Sequence, residues 1–462
     1  MTIDFILNET MQSTQLDPTT PLSDYIRRYY SLNTKESCGV GNCGACSVIV
    51  YDPNNSKYTL ANSCLLPLGT VIGKQVITID GISKDGELGS VQQAYLDFAA
   101  PQCGFCTPGF VIAGTYFLLK MNGENFDDEA AREALSGNLC RCNGYGPYVK
   151  ALMSLQGTVP NLTIPTDSVP ACLYSDKNWY APITIRDALS YLKRTPDAVI
   201  YSGGTDIMPK CRDLMTKHIL YIGNISELLA EKITIDGDYI YISSSTTFEE
   251  IICSSLLNCL IPQMPEMSRK VGSPQVRSVA TLIGNICNAS PIGDSLPLLY
   301  ALEAEIEICS LSNDYSIEKR YLSISDFITG PNETSIKEGE LVTKVRFKKP
   351  KEGDKFYFQA LKTRNAQSMT IASVSAKAHY EPNSHTLTSL RLFAGGVGPT
   401  VINLDDIVDL TLQKTPKKLI EHVTEAYDSV SLQPVSDLRG TSEYKREMII
   451  QLILRIMSEI VN

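Results

Sequence analysis

The chain lacks any run of about 18 consecutive apolar residues, the length a helix needs to cross a bilayer, so no membrane span is expected. It also lacks an excess of positive charge: 41 Lys and Arg stand against 51 Asp and Glu, a net charge of −10. Binding nucleic acid through its phosphates needs a basic surface, so that class is set aside. The start, Met1-Thr2-Ile3-Asp4, has no basic stretch leading into an apolar one, which argues against a secretory signal. Histidine is scarce, and His218, His379, His385 and His422 are dispersed, so none is assigned a role. With 43% hydrophobic and 20% charged residues over 462 positions, the chain reads as globular, with two to four domains.

Cysteine, by contrast, is abundant. Of 14, eight fall in the first 142 residues and six are scattered through the rest. The chain reads as cytoplasmic, where thiols seldom pair as disulfides, so clustered cysteines point to metal. The scattered six, Cys172, Cys211, Cys253, Cys259, Cys287 and Cys309, read as small buried hydrophobes.

Residues 1–80 read as β-rich, with strands at Asp4–Asn8, Ala45–Tyr51 and Gln75–Asp80. One helix starts at Thr20-Pro21 and carries Leu22, Ile26 and Tyr29. Residues 81–156 turn helical. Ser90–Ala100 is one helix, and Thr107-Pro108 caps a second with Val111, Thr115, Leu118 and Leu119 on one face. Asp127 starts a third that ends at Gly137 as a left-handed stop, and a fourth runs from about Pro147 to Leu155. Residues 157–172 read as a linker rich in Pro, Ser and Thr, 173–350 as one mixed domain and 351–462 as another.

The first cysteine group is Cys38-Gly-Val-Gly-Asn-Cys43-Gly-Ala-Cys46, closed by Cys64 from a separate segment. This is the C-x4-C-x2-C…C spacing of plant-type 2Fe–2S sites. A loop wrapping such a cluster must approach it closely and aim N–H groups at sulfur, which Gly39, Gly41 and Gly44 permit. The same three glycines match a dinucleotide fingerprint letter for letter. That fingerprint needs a helix after it, and a strand is expected here, so it is rejected. The second group is Cys103-Gly-Phe-Cys106 with Cys140-Arg-Cys142, one pair just before a helix and one after another, and a helix N-terminus favours a thiolate. Taken alone, it suits structural zinc as well as iron–sulfur.

Two further segments suit a nucleotide. Ile200, Tyr201, Ser202, Gly203, Gly204, Thr205, Asp206 and Ile207 run from an apolar strand into a small-residue turn whose N–H groups can meet an anion. Read alone, this is also an ordinary strand and turn. Gly272-Ser-Pro-Gln-Val-Arg-Ser-Val-Ala-Thr-Leu-Ile-Gly-Asn285, continuing to Asp294, again combines glycines, hydroxyls and an acid.

Together the cysteine loop, Gln102-Cys103-Gly-Phe-Cys106-Thr-Pro-Gly109 and Gly137-Asn-Leu-Cys140-Arg-Cys142-Asn-Gly144-Tyr145 resemble the N-terminal region of the xanthine dehydrogenase-type molybdenum hydroxylases. The resemblance implies a multidomain α+β chain: a β-grasp 2Fe–2S ferredoxin domain, a four-helix 2Fe–2S domain, an α+β FAD-binding domain and an α+β flavin C-terminal domain. It assigns Cys38, Cys43, Cys46 and Cys64 to one cluster and Cys103, Cys106, Cys140 and Cys142 to another. It assigns FAD to residues 200–207 with Thr281, Gly284, Asn285, Ser290, Asp294, Val342 and Lys362. No segment resembles the molybdopterin domain, so that cofactor is expected on a separate large subunit, in a dimer of heterodimers. Electrons would then run from molybdenum through the helical-domain cluster, the plant-type cluster and FAD to NAD+, with hypoxanthine or xanthine as the substrate of the whole enzyme. Two departures stand out. Gly146 replaces a basic or large residue, and Met369 and Thr370 replace acidic residues that bear on NAD+. Rival readings are the same role with another heterocycle, an aldehyde or an aromatic acyl-CoA, a free-standing NAD(P)H-oxidising flavoprotein, and a zinc-stabilised scaffold.

Overall fold

The computed structural model describes residues 2–164, 174–176, 178–210, 217–381, 386–408, 416–427 and 430–461. The end of the expected linker, residues 165–172, lies outside them, as do Cys172, Cys211 and His385. The chain forms two compact units. One comprises Met1–Tyr191, Thr195–Ser226 and Gly272–Ala280; the other comprises Leu192–Arg194, Glu227–Val271 and Thr281–Asn462.

In the first unit, β1 (Ile3–Leu7), β2 (Thr10–Thr14), β3 (Ser47–Asp52), β4 (Lys57–Asn62) and β5 (Gln75–Ile77) form one sheet in the order β2-β1-β5-β3-β4. Only the β1–β5 pair is parallel. Helix α1 (Leu22–Tyr29) buries Leu22, Tyr25 and Ile26 in a core with Ile3, Phe5 and Leu7. Each such side chain, fully buried, contributes roughly 1.5–3 kcal/mol of transfer free energy. Pro21 is the N-cap of α1 rather than a first-turn residue, and no side chain caps that end. Its carbonyl has already entered the helical ladder, accepting from Tyr25 N–H at 3.3 Å.

Four helices follow: α2 (Ser90–Asp97), α3 (Thr107–Met121), α4 (Asp128–Leu135) and α5 (Tyr145–Met153). Helix α3 buries Phe110, Val111, Ile112 and Ala113 in succession, so its first half is apolar on every side and packs into the core of this group. The Phe110 and Tyr148 rings stack at 4.2 Å, and Tyr95 meets Tyr148 edge-on at 4.7 Å. Asp127 caps α4 by accepting from Ala130 N–H. Helix α4 ends at Ser136 in ordinary right-handed geometry, and Gly137 is not among the positive-φ residues. The expected left-handed stop is therefore wrong. Gly137 is small because the Gln275 amide fills its side-chain space: a Cβ there would stand 1.6 Å from Gln275 Oε1.

The first unit also holds the short sheet Tyr174–Asp176, Trp179–Ala181, Ile219–Tyr221 and Val199–Tyr201, whose last three strands are parallel. Trp179, Tyr201 and Tyr221 share a core with Leu65 and Leu68. In the second unit, Ile233–Asp236, Tyr239–Ser243, Leu341–Lys348, Glu305–Leu311 and Ile317–Ser323 form a five-stranded antiparallel sheet. A second sheet, Asp354–Lys362, Thr370–Tyr380, Leu387–Gly395 and Ile402–Asn403, packs Val374, Ala376 and Leu392 against Ile449, Ile453 and Ile456 of the helix Ser442–Val461. Of the scattered thiols in described residues, Cys309 is buried as expected, whereas Cys253, Cys259 and Cys287 are exposed. Cys253 and Cys259 sit on short helices, where one side must meet water. Cys287 is open to solvent yet closely surrounded by protein, and burial pushes its thiol up to about 12.

Candidate functional site

Gly39, Gly41 and Gly44 all take positive φ, so the chain between Cys38 and Cys46 curls tightly enough to turn its amides inward. Cys38 Sγ accepts from Asn42 N–H at 3.2 Å and from Val40 N–H at 3.5 Å. The loop runs into β3, not a helix, as the rejection of the dinucleotide reading required. Cys64 enters from a turn after β4, and Ser63 N–H ties that turn to Cys46 O at 3.1 Å.

The four thiols stand in two pairs, Cys38 with Cys43 and Cys46 with Cys64. A hydrogen bond from Cys43 holds Cys38 down at about 5, while Cys43 is itself driven up, chiefly by giving that bond. Cys46 is lowered by a hydrogen bond from Cys64, which is correspondingly raised. Four thiols delivered by two segments can close on one tetrahedral zinc or on two irons with two thiolates each. The C-x4-C-x2-C spacing, with amides turned toward sulfur, suits the second.

The second group repeats this arrangement. Cys103 pairs with Cys142 and Cys106 with Cys140. Cys103 is lowered, first by the backbone N–H of Phe105 and then by Cys142. Cys106 is the N-cap of α3, where a lowered thiol was expected. Instead burial, with the Cys140 contact, pushes it up to about 12. Gly144 N–H donates to Cys140 Sγ at 3.4 Å, and Cys140 N–H donates to Tyr145 Oη at 2.9 Å.

The two groups meet at a junction of buried residues, Asn138, Gln275 and Ser47. Leu139 N–H, next to Cys140, donates to the carbonyl of Cys43 at 3.0 Å. Asn138 Nδ2 donates to Gly44 O at 3.0 Å, and Gln275 Nε2 donates to Asn138 Oδ1 at 3.0 Å and Ser47 Oγ at 3.2 Å. Asn138 and Gln275 were given no such part from sequence, because both lie inside motifs explained by other chemistry. Gln275 belongs to the segment read as nucleotide-binding, yet its side chain holds the junction of the cysteine-bearing domains.

Of residues 200–207, Ile200 and Tyr201 lie in the strand Val199–Tyr201, residues 202–206 form the turn after it as expected, and Ile207 begins a short helix. Gly203 lies so close to Val279 that a Cβ would stand 2.0 Å from its carbonyl oxygen, and Gly204 takes φ +65°. In the second unit, Thr281 caps the helix Leu282–Asn288 by accepting from Gly284 N–H at 3.1 Å. Asn285 Oδ1 accepts from Ser295 at 2.7 Å, Ser290 O accepts from Gly293 N–H at 2.9 Å, and Val342 is buried in Leu341–Lys348. Asp294 and Lys362 form a buried ion pair at 2.6 Å. Lys362 also donates to Lys270 O at 2.6 Å, and the Thr370 hydroxyl donates to Asp294. Burial outweighs the neighbouring ammonium, so the Asp294 carboxyl sits above its usual range. Thr370 was read only as the loss of an acid; it is a partner of Asp294, while Met369 beside it is exposed.

Three segments of the chain match known families. Residues 78–153 match a 2Fe–2S binding domain, residues 174–350 the FAD binding domain in molybdopterin dehydrogenase, and residues 356–460 the CO dehydrogenase flavoprotein C-terminal domain. The second cysteine group, ambiguous alone, thus lies within an iron–sulfur domain. This composition is that of an iron–sulfur and flavin electron-transfer module, and it fits the fused 2Fe–2S/FAD subunit of the molybdenum hydroxylase family. Among curated proteins, the chain is 24% identical to the xanthine dehydrogenase of Drosophila pseudoobscura pseudoobscura, over 98% of its own length and 38% of that protein's. It is 28% identical to xanthine dehydrogenase 1 of Arabidopsis thaliana, over 82% of this chain and 33% of that protein. The chain therefore spans only about a third of such relatives. In fold it is similar to a chain of reconstituted CO dehydrogenase from Oligotropha carboxidovorans, with a TM-score of 0.52 and 23% identity over 61% of this chain and 96% of that one. It is equally similar to a chain of quinoline 2-oxidoreductase from Pseudomonas putida 86, with a TM-score of 0.52 and 19% identity over 63% and 99%. Among the described residues no helix is long and apolar enough to cross a membrane.

Proposed function

We propose that the chain carries electrons between a molybdenum-containing partner subunit and NAD+, using two 2Fe–2S clusters and one FAD. The observation that carries this reading is the hydrogen bond from Leu139 N–H to Cys43 O, which joins the backbones of two cysteine groups that each stand as two pairs. Cys38, Cys43, Cys46 and Cys64 would hold the cluster nearer FAD, and Cys103, Cys106, Cys140 and Cys142 the one nearer molybdenum. The Gly203–Gly204 turn would take the diphosphate of FAD. Thr281, Gly284, Asn285, Ser290, Asp294, Val342 and Lys362 would line the rest of the nucleotide. FAD accepts single electrons from iron–sulfur centres and gives a hydride to nicotinamide, which is the conversion this path needs. The large subunit would oxidise hypoxanthine or xanthine, in a dimer of heterodimers, in the cytoplasm, where reduced thiols suit cluster ligation.

A second reading keeps the same role but changes the substrate. The likeness in fold to chains of CO dehydrogenase and quinoline 2-oxidoreductase supports it, as does the low identity to xanthine dehydrogenases. The test is electron paramagnetic resonance of the anaerobically purified, dithionite-reduced chain, with iron, zinc and flavin assayed. Two distinct 2Fe–2S signals are expected. One signal with bound zinc would remove the second cluster, and a sample without iron would sink the reading. Purine-dependent NAD+ reduction by the assembled enzyme separates the two substrate readings.

A further inference from the structure

Leu65 follows Cys64 in the chain, and its carbonyl accepts a hydrogen bond from the Tyr201 hydroxyl at 3.1 Å. Tyr201 also ends the strand that leads into Gly203 and Gly204. Its ring folds back beneath that turn: a Cβ on Gly204 would stand 1.8 Å from Tyr201 Oη. One side chain therefore touches both the segment that delivers Cys64 and the turn that suits a diphosphate. Tyr201 is 1% exposed, in a core shared with Leu65, Trp179 and Tyr221. Burial raises its hydroxyl well above the usual range, so it stays protonated and keeps donating. Breaking that bond would leave a buried carbonyl without its donor, at a cost that holds the contact closed.

We propose that Tyr201 is a positioning residue that fixes the distance between the first cluster and the FAD held on the Gly203–Gly204 turn, and thereby the rate at which electrons cross; this rests on the iron–sulfur and FAD reading above. In each crossing the reduced cluster loses one electron and FAD gains one. Two crossings, with protons from solvent, complete the reduction of FAD. Tyr201 is neither oxidised nor deprotonated. Tunnelling rates fall steeply with distance, so a strut that sets the gap also sets the rate.

The test uses the full chain with its cofactors and compares Tyr201→Phe with Tyr221→Phe, a neighbour in the same core that is not bonded to Leu65. Dipolar electron paramagnetic resonance reads the distance distribution between the reduced first cluster and one-electron-reduced FAD. Flash reduction reads the crossing rate. Tyr201→Phe is expected to broaden the distribution and slow the crossing several-fold, with FAD content and midpoint potentials unchanged, while Tyr221→Phe changes neither. An unaltered distribution and rate in Tyr201→Phe, equal changes in both variants, or loss of FAD from Tyr201→Phe would overturn the proposal. Wild-type chain without iron or flavin would instead overturn the reading beneath it.

Discussion

Gly109→Ala is expected to destabilise the chain, although the same exchange in a helix usually does the opposite. Alanine is favoured over glycine inside a helix by up to about 1 kcal/mol. Gly109 lies in the first turn of α3 and is not among the positive-φ residues, so its backbone would accept alanine. The space would not. A Cβ there would stand 2.2 Å from Gly44 O and 2.7 Å from Asn138 Nδ2. Gly44 sits between the first group's cysteines at φ +67°, and its carbonyl already accepts from Asn138, so it has little room to yield. Overpacking of this kind costs about 1–3 kcal/mol, enough to reverse the propensity gain. Gly146→Ala is the control, because it lies in α5 with nothing within 4 Å of its added Cβ. Thermal unfolding should place Gly109→Ala below wild type and Gly146→Ala at or above it. Equal stability of the two variants would show that the helical domain does not press on the cysteine loop.

That contact illustrates what sequence could and could not reveal. The tight curl of the Cys38–Cys46 loop was legible because it is local: the glycines at positive φ are set within a dozen residues. Helix starts at Asp127 and Thr107 were legible for the same reason, since caps and first turns are short-range features. The pairing of thiols across Cys103 and Cys142 was not, because it depends on how α3 and the segment after α4 meet. Gly137 misled for a related reason. Glycine after a helix usually marks a left-handed turn, and here it marks a side chain arriving from residue 275, far along the chain. Tyr201 was included only as part of a turn read for its backbone. Its hydroxyl bond to Leu65 spans 136 positions, and no periodicity reports such a contact. Thr370 was read for the charge it lacks, whereas its role comes from a hydroxyl placed on Asp294 by the strand Thr370–Tyr380.

Lys362→Met is expected to cost stability on the order of 3–5 kcal/mol, the usual effect of removing one partner of a buried ion pair. Asp294 and Lys362 side chains are only 11% and 7% exposed, so neither can turn to water when the other is lost. Methionine keeps much of the lysine stem's bulk, which limits the cavity contribution and leaves the charge as the variable. The pH dependence gives the sign. Asp294 is already raised from 3.8 in the folded chain by burial, with Lys362 and Thr370 opposing that rise. A carboxyl raised on folding contributes stability that is full below its unfolded value and lost as pH rises through its folded value. Removing Lys362 takes away the larger opposing effect, so the folded value climbs further and the loss extends to higher pH. Unfolding of Lys362→Met should therefore show a deficit that is small near pH 4 and grows toward neutrality. In Lys362→Met with Asp294→Asn there is no charge to strand, so much of the deficit at neutral pH should return. A deficit of the same size at every pH, unrelieved in the double variant, would mean that Lys362 acts through its bond to Lys270 O and its packing, and that the ion pair itself contributes nothing.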